Sequence, residues 1–211
     1  MRTSLALVAA VCLSGCVSLL PKPPPAGAIY TLRAGAVEAM AGEPKAVVLA
    51  VGEPVAPRSI AGADIVWRQG AEIAFMEGAA WDGAAPDLLQ NLLIDVMDRR
   101  NGVRAVVRGG AGVRADAEVR WNVMTFEVVE NGATLEATIA TTAQLIDLRT
   151  RTVLADERFN ATAPISSRSG RAAAAALERV ATEAALLTAD WAIQTVQPAP
   201  VQPPSAASTR R

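Results

Sequence analysis

The fold is decided by the stretch Ala115–Val129, ADAEVRWNVMTFEVV, together with the two alternating stretches C-terminal to it. Ala117, Val119, Trp121 and Val123 alternate with Asp116, Glu118, Arg120 and Asn122, the two-residue period of a strand with one buried face. The apolar role then passes to Met124, Phe126 and Val128, and a phase slip inside a strand predicts a β-bulge. Asn131-Gly132 predicts a hairpin turn. Thr134–Leu148 resumes the alternation, with Leu135, Ala137, Ile139, Ala143 and Leu145 on one face. After a turn over Arg149-Thr150-Arg151, Thr152–Ala163 directs Val153, Ala155, Phe159 and Ala161 inward. Three long strands in succession form a meander.

Outward from it lie two helices and the shorter strands. Ser169–Thr195 is helical, with Leu177, Val180, Ala184, Leu187 and Trp191 as a stripe and Ala172–Ala176 allowing close approach. Ser166, Ser167 and Ser169 precede it and suit capping. Upstream, Pro86–Arg100 places Leu88, Leu89, Leu92, Leu93, Val96 and Met97 on one helical face and Gln90, Asn91, Asp95 and Asp98 on the other. Pro86 and Asp87 fit its start; Arg99, Arg100 and Asn101-Gly102 fit its end. Arg104–Arg108 comes next as a strand. Earlier still, Ile29–Leu32 reads as a short strand and Ala46–Val51, apolar throughout, as a buried central one. Asp64–Arg68 and Glu72–Met76 make a hairpin through Gln69-Gly70. The fold class is α/β: an antiparallel or mixed sheet of six to eight strands with two main helices packed on one face.

The N-terminus has the parts of a secretory signal. Arg2 precedes the apolar run Leu5–Leu13, which is too short for a bilayer core of about 30 Å. It ends in Leu13-Ser14-Gly15-Cys16, which resembles the lipobox of bacterial lipoproteins. That resemblance implies cleavage between Gly15 and Cys16, a diacylglyceryl group on the Cys16 thiol and an acyl chain on its new amine. At about 0.8 kcal/mol per buried methylene, several chains on one residue hold firmly. Val17–Ala28 carries Pro21, Pro23, Pro24 and Pro25 and reads as an extended tether. Val17, not Asp, stands after Cys16, which by the enterobacterial sorting rule suggests the outer membrane. The expected organisation is signal peptide 1–15, acylated cysteine and tether 16–28, folded domain 29–196 and a Pro/Ala-rich tail 197–211.

Composition excludes several chemistries. Basic and acidic residues number 20 and 21, so no strong field attracts nucleic acid. With no histidine, His-based triads and imidazole metal sites are out. Cys12 leaves with the signal and Cys16 takes lipid, so neither a thiol nucleophile nor a disulfide remains. Gly109-Gly110-Ala111-Gly112 lacks the Lys and Ser/Thr of a phosphate-binding loop. Asp82, Asp87, Asp95 and Asp98 are the nearest carboxylate pairs, but a helix start and a solvated face explain them better. No catalytic residue, metal site or cofactor is expected beyond the lipid on Cys16.

Several blocks in order carry a more specific resemblance. They are Cys16 followed by Tyr30-Thr31-Leu32; Ile65-Val66-Trp67-Arg68 with Glu72-Ile73; Ala80-Trp81-Asp82 leading into Pro86-Asp87-Leu88-Leu89-Gln90; and Val119-Arg120-Trp121-Asn122 to Phe126-Glu127 with the helix to Trp191. Together they resemble the ABC-type transport auxiliary lipoproteins, the family of paraquat-inducible protein C. Trp67 stands where a tyrosine is commoner. The resemblance implies a periplasmic, non-catalytic accessory subunit of an ABC transport system, partnered by its permease and ATPase and by an MCE-type (mammalian cell entry) lipid-binding protein. Such systems move phospholipids or other hydrophobic molecules across the envelope. A homo-oligomer is compatible with it.

Trp121 and Trp191 lie on apolar faces and read as core. Trp67 and Trp81, with Tyr30 and Leu32 near the anchor, are the candidate partner-binding residues, since tryptophan is enriched in interface hot spots. The other readings are a stand-alone periplasmic lipid carrier, which needs its own apolar cavity, and a structural outer-membrane lipoprotein.

Overall fold

Strand β6 (Ala117–Asn131) is the spine of the molecule. In the computed structural model, which describes residues 27–198, it pairs along its whole length with β7 (Thr134–Asp147), and β7 with β8 (Thr152–Pro164), all antiparallel. Its other edge is shared by two strands running parallel to it. At its start, Ala117–Val119 pairs with the end of β2 (Lys45–Val51); at its finish, Val128–Glu130 pairs with the end of β3 (Asp64–Gln69). Between them the chain stays on β6 through a bridge from Val55 to Asn122 and then leaves in a turn. Beyond β2 lies β5 (Val103–Arg108), parallel to it. Beyond β3 lie β4 (Glu72–Trp81), antiparallel, and then β1 (Ala28–Tyr30), parallel to β4. The result is a curled, mixed sheet of eight strands.

Helices α1 (Ala85–Arg100) and α2 (Gly170–Thr195) pack side by side on one face of it. The face they cover is the one the alternation of β6 picked out: Val119, Trp121, Val123, Phe126 and Val128 are all buried. The bulge falls where the phase slips, between Val123 and Thr125. Met124 is the extra residue and is 45% exposed, so it does not take the inward role expected of it. A second bulge, opposite Leu145 and Ile146, leaves Leu154 of β8 without a partner on β7, and Val153 is correspondingly 55% exposed rather than inward. β2 is buried on both faces, as its unbroken apolar run requires.

The helices depart from expectation at three residues. Gln90, assigned to the polar face of α1, is 1% exposed and donates from Nε2 to the carbonyl of Val51 at 2.9 Å. Leu187, assigned to the buried stripe of α2, is 43% exposed, and Trp191 is half-buried, edge-on to Phe159. The true buried face of α2 is a broad band of small residues, Ala173, Ala176, Ala181, Ala184, Ala185, Ala189 and Ala192 among them. Such a face brings the helix backbone close to its neighbours: a Cβ on Gly170 would stand 2.5 Å from Cβ of Ala79. Ser169 caps α2 by accepting from the amide of Ala172. No helix among the described residues is long and apolar enough to cross a membrane.

Candidate functional site

The two hairpin strands β3 and β4 carry two of the four candidate partner-binding residues, Trp67 and Trp81, and the sheet gives them different fates. Trp81 is 4% exposed and stacks on Phe126, ring centroids 5.7 Å apart. It lies at the end of β4, which runs past its expected end at Met76. Leu32 is buried as well. These two belong to the core and offer no surface to a partner. Trp67 is half-buried, opposite Ala74 on β4, and donates from Nε1 to Oε2 of Glu130 at 3.0 Å. Tyr30 is half-buried at the outer strand β1, beside Trp81 and facing the start of α2. The surface available at this end is therefore Tyr30, part of Trp67, and the strand between them.

That strand is β4, and its first part is open. β1 reaches only Ala79–Trp81, so among the described residues nothing pairs with the outer edge of Glu72–Gly78. The turn before it uses Gly70-Ala71, one residue later than expected, with Gly70 at φ 59°, a conformation glycine adopts without strain. Ile73 is 41% and Phe75 53% exposed, on the face shared with Arg68 and Val66 and turned away from the helices. At the far end of the open edge a groove of about 800 Å³ is lined by Ile29, Met76, Glu77 and Gly78.

The hairpin is held rigidly behind that edge. Arg68 makes a two-pronged ion pair with Glu127 of β6, Nε to Oε1 at 2.7 Å and Nη2 to Oε2 at 2.9 Å. Glu127 is almost wholly buried, and its hydrogen bond and charge push the guanidinium pKa of Arg68 up. Glu130, three residues on, accepts from Trp67 and from Arg168, the residue before the α2 cap. Two carboxylates thus tie β3 and the start of α2 to β6. Sequence reasoning missed both: they sit at strand positions where a carboxylate normally faces water. No local signal marked them, because the pairing of β3 with β6 that brings Arg68 and Trp67 to them joins strands far apart in the chain.

Among the described residues there is no cluster of acidic, cysteine or histidine side chains fit for a metal ion. Asp95 is paired with Arg99 one turn on, and Asp82, Asp87 and Asp98 are exposed singly. Gly109 backs onto Cα of Gly52 and the carbonyl of Val51, each 3.0 Å from where its Cβ would lie, so that glycine serves close strand packing. Gly15 and Cys16 lie outside the described residues.

The model of the ABC-type transport auxiliary lipoprotein component matches residues 30–189, from β1 to the last turns of α2. The chain belongs to this family. The auxiliary lipoproteins are components of ABC-type transport systems, and the chain takes that coarse role and envelope setting with them. Among solved structures, it is similar to a Xanthomonas campestris protein of the DUF330 family, at 27% identity and a TM-score of 0.74, over 80% of this chain and 96% of that one. A second, uncharacterized protein shares the fold at 14% identity and a TM-score of 0.61, over 80% and 98%. No curated protein matches the sequence. The family resemblance expected from the ordered blocks is thus established, and so is the mixed sheet with two helices.

Proposed function

We propose that this auxiliary lipoprotein is a non-catalytic tether, fixed by acyl chains on Cys16 to the outer membrane and holding an MCE-type lipid-binding protein and its ABC permease and ATPase. The observation that carries the reading is the outer edge of β4, left without a strand partner among the described residues over Glu72–Gly78 and braced from behind by the Arg68–Glu127 ion pair. A subunit that works by holding others needs such a surface and needs no chemistry. The anchor is close to that surface: ten residues lie between Cys16 and Gly27, a span of at most roughly 40 Å. Gly27 itself lies against Gly78, at the end of the open edge.

The test is affinity capture of the full mature chain from detergent-solubilised envelopes, followed by lipid analysis. Recovery of an MCE-domain protein without bound lipid is the expected result. Bound phospholipid without that protein would make the chain a carrier instead. Mass spectrometry of the mature N-terminus checks the anchor; an unmodified thiol at Cys16 would overturn it.

A further inference from the structure

We infer that the open edge of β4, Glu72–Gly78, is a docking strand for an extended segment of a partner protein that alternates apolar and basic residues. This rests on the adaptor reading and says where the partner would be held.

The sheet has other free edges, and they differ in kind. β8 carries Asp156, Glu157 and Arg158 at its middle, and β5 has Arg104 and Arg108 at its two ends. Charges on edge strands discourage pairing with other chains. The open part of β4 has none over Ile73, Ala74, Phe75 and Met76, while Ile73 and Phe75 stand exposed. In an antiparallel ladder alternate residues turn their N–H and C=O groups to the far side. Over Glu72–Phe75, which pair in register with β3, half of the peptide groups therefore face the open edge; the ladder shifts between Phe75 and Ala80, where Gly78 takes φ 68°. An extended peptide can satisfy them and place alternate side chains on Ile73 and Phe75, as strand-addition complexes do.

Charge selects the occupant. Glu72 and Glu77 bracket the apolar run, and Asp64 lines the adjoining groove. Arg68, the cation paired across from Ile73, is spent on Glu127. A partner strand with Lys or Arg flanking its apolar residues is attracted. A second copy of this edge is not: it would bring the same carboxylates, Glu72, Glu77 and Asp64, up against themselves, and like charges across a strand pair destabilise it. The chain's own residues before Gly27 are a poor substitute, because Pro23, Pro24 and Pro25 have no N–H to give a ladder.

The test uses the full mature chain in detergent, with short synthetic peptides of alternating valine and lysine or valine and glutamate as probes. The lysine peptide should bind saturably and slow amide exchange at Glu72–Gly78. The double variants Ile73→Lys/Phe75→Lys and Glu72→Lys/Glu77→Lys should each weaken it by about tenfold or more, with unchanged unfolding midpoints. Equal binding of the glutamate peptide, or protection elsewhere, overturns the inference. So does concentration-dependent dimerisation that the Ile73→Lys/Phe75→Lys variant abolishes, or protection of this edge that vanishes when residues 21–26 are replaced by Gly and Ser. The same variants separate the two readings. If envelope capture still returns the MCE-domain protein undiminished, the docking strand is wrong and the adaptor role stands. If the edge binds the lysine peptide as described but capture returns no such protein, the edge stands and the adaptor role fails.

Discussion

At the scale of single residues, two carboxylates titrate in opposite senses. Asp147 closes the β7–β8 turn: its Oδ1 accepts from the amides of Thr150 and Arg149 at 2.7 and 2.8 Å, and these bonds, that of Thr150 foremost, hold its pKa down. A lowered folded pKa gives stability that is present above the ordinary aspartate range and lost as pH falls through the folded value. NMR titration should find Asp147 among the last carboxyls to protonate, and Asp147→Ala should destabilise at pH 7 but not below that value. Glu178 on α2 is pushed up by burial, with Arg33 opposing. Its ionised form is disfavoured by folding, so the penalty exists above the folded pKa and fades as pH falls towards the ordinary glutamate value. Glu178→Gln should therefore raise the melting temperature at neutral pH, and the gain should close in acid; a gain that persists below pH of about 4 would contradict the assignment. Gln90 shows why such sites escape a sequence pattern: its helical position looked polar-facing, yet β2 covers it and takes its donor.

Elements are held to one another by side chains from elsewhere in the chain. The last turn of α2 has no basic residue of its own. Lys45, at the start of β2, supplies one, donating to the carbonyls of Gln194 and Val196 at 2.9 and 2.8 Å. These carbonyls are the orphans of a helix end. Lys45→Met should cost about 1 kcal/mol and speed amide exchange over the last turn of α2. The hairpin β3–β4 depends on Arg68. Removing it leaves Glu127 buried without its partner, so Arg68→Met should cost about 3 kcal/mol in urea unfolding, the low end because Arg68 keeps some solvent. Adding Glu127→Met should restore most of that loss; a double variant no better than the single would mean that packing, not charge, is what Arg68 supplies.

Across the whole molecule, the C-terminal ends of both helices meet the segment 33–44. Arg100 pairs with Asp190 through Nε and Nη2 at 2.7 and 2.9 Å, and its Nη1 donates to the carbonyl of Glu38 at 2.7 Å. Gly102 sits in this junction, where a Cβ would stand 2.5 Å from Cγ2 of Ile193 and 3.1 Å from Sδ of Met40. Gly102→Ala should cost about 1–3 kcal/mol by overpacking, although the position is an ordinary helix exit by sequence. A neutral Gly102→Ala, measured by equilibrium unfolding, would show that Ile193 yields freely.

Periodicity by itself determined the strands, the helices and the bulge in β6, because each depends only on which residues alternate or recur along a few turns of chain. The ordered blocks also fixed the family, and the missing histidine fixed what chemistry could not occur. Tertiary structure alone decided that β2 and β3 share one edge of β6, that Glu127 and Glu130 are interior, that Trp81 is core while Phe75 is surface, and which edge of the sheet stays open. These are contacts between residues far apart in sequence, and local patterning carries no information about which distant strand arrives alongside.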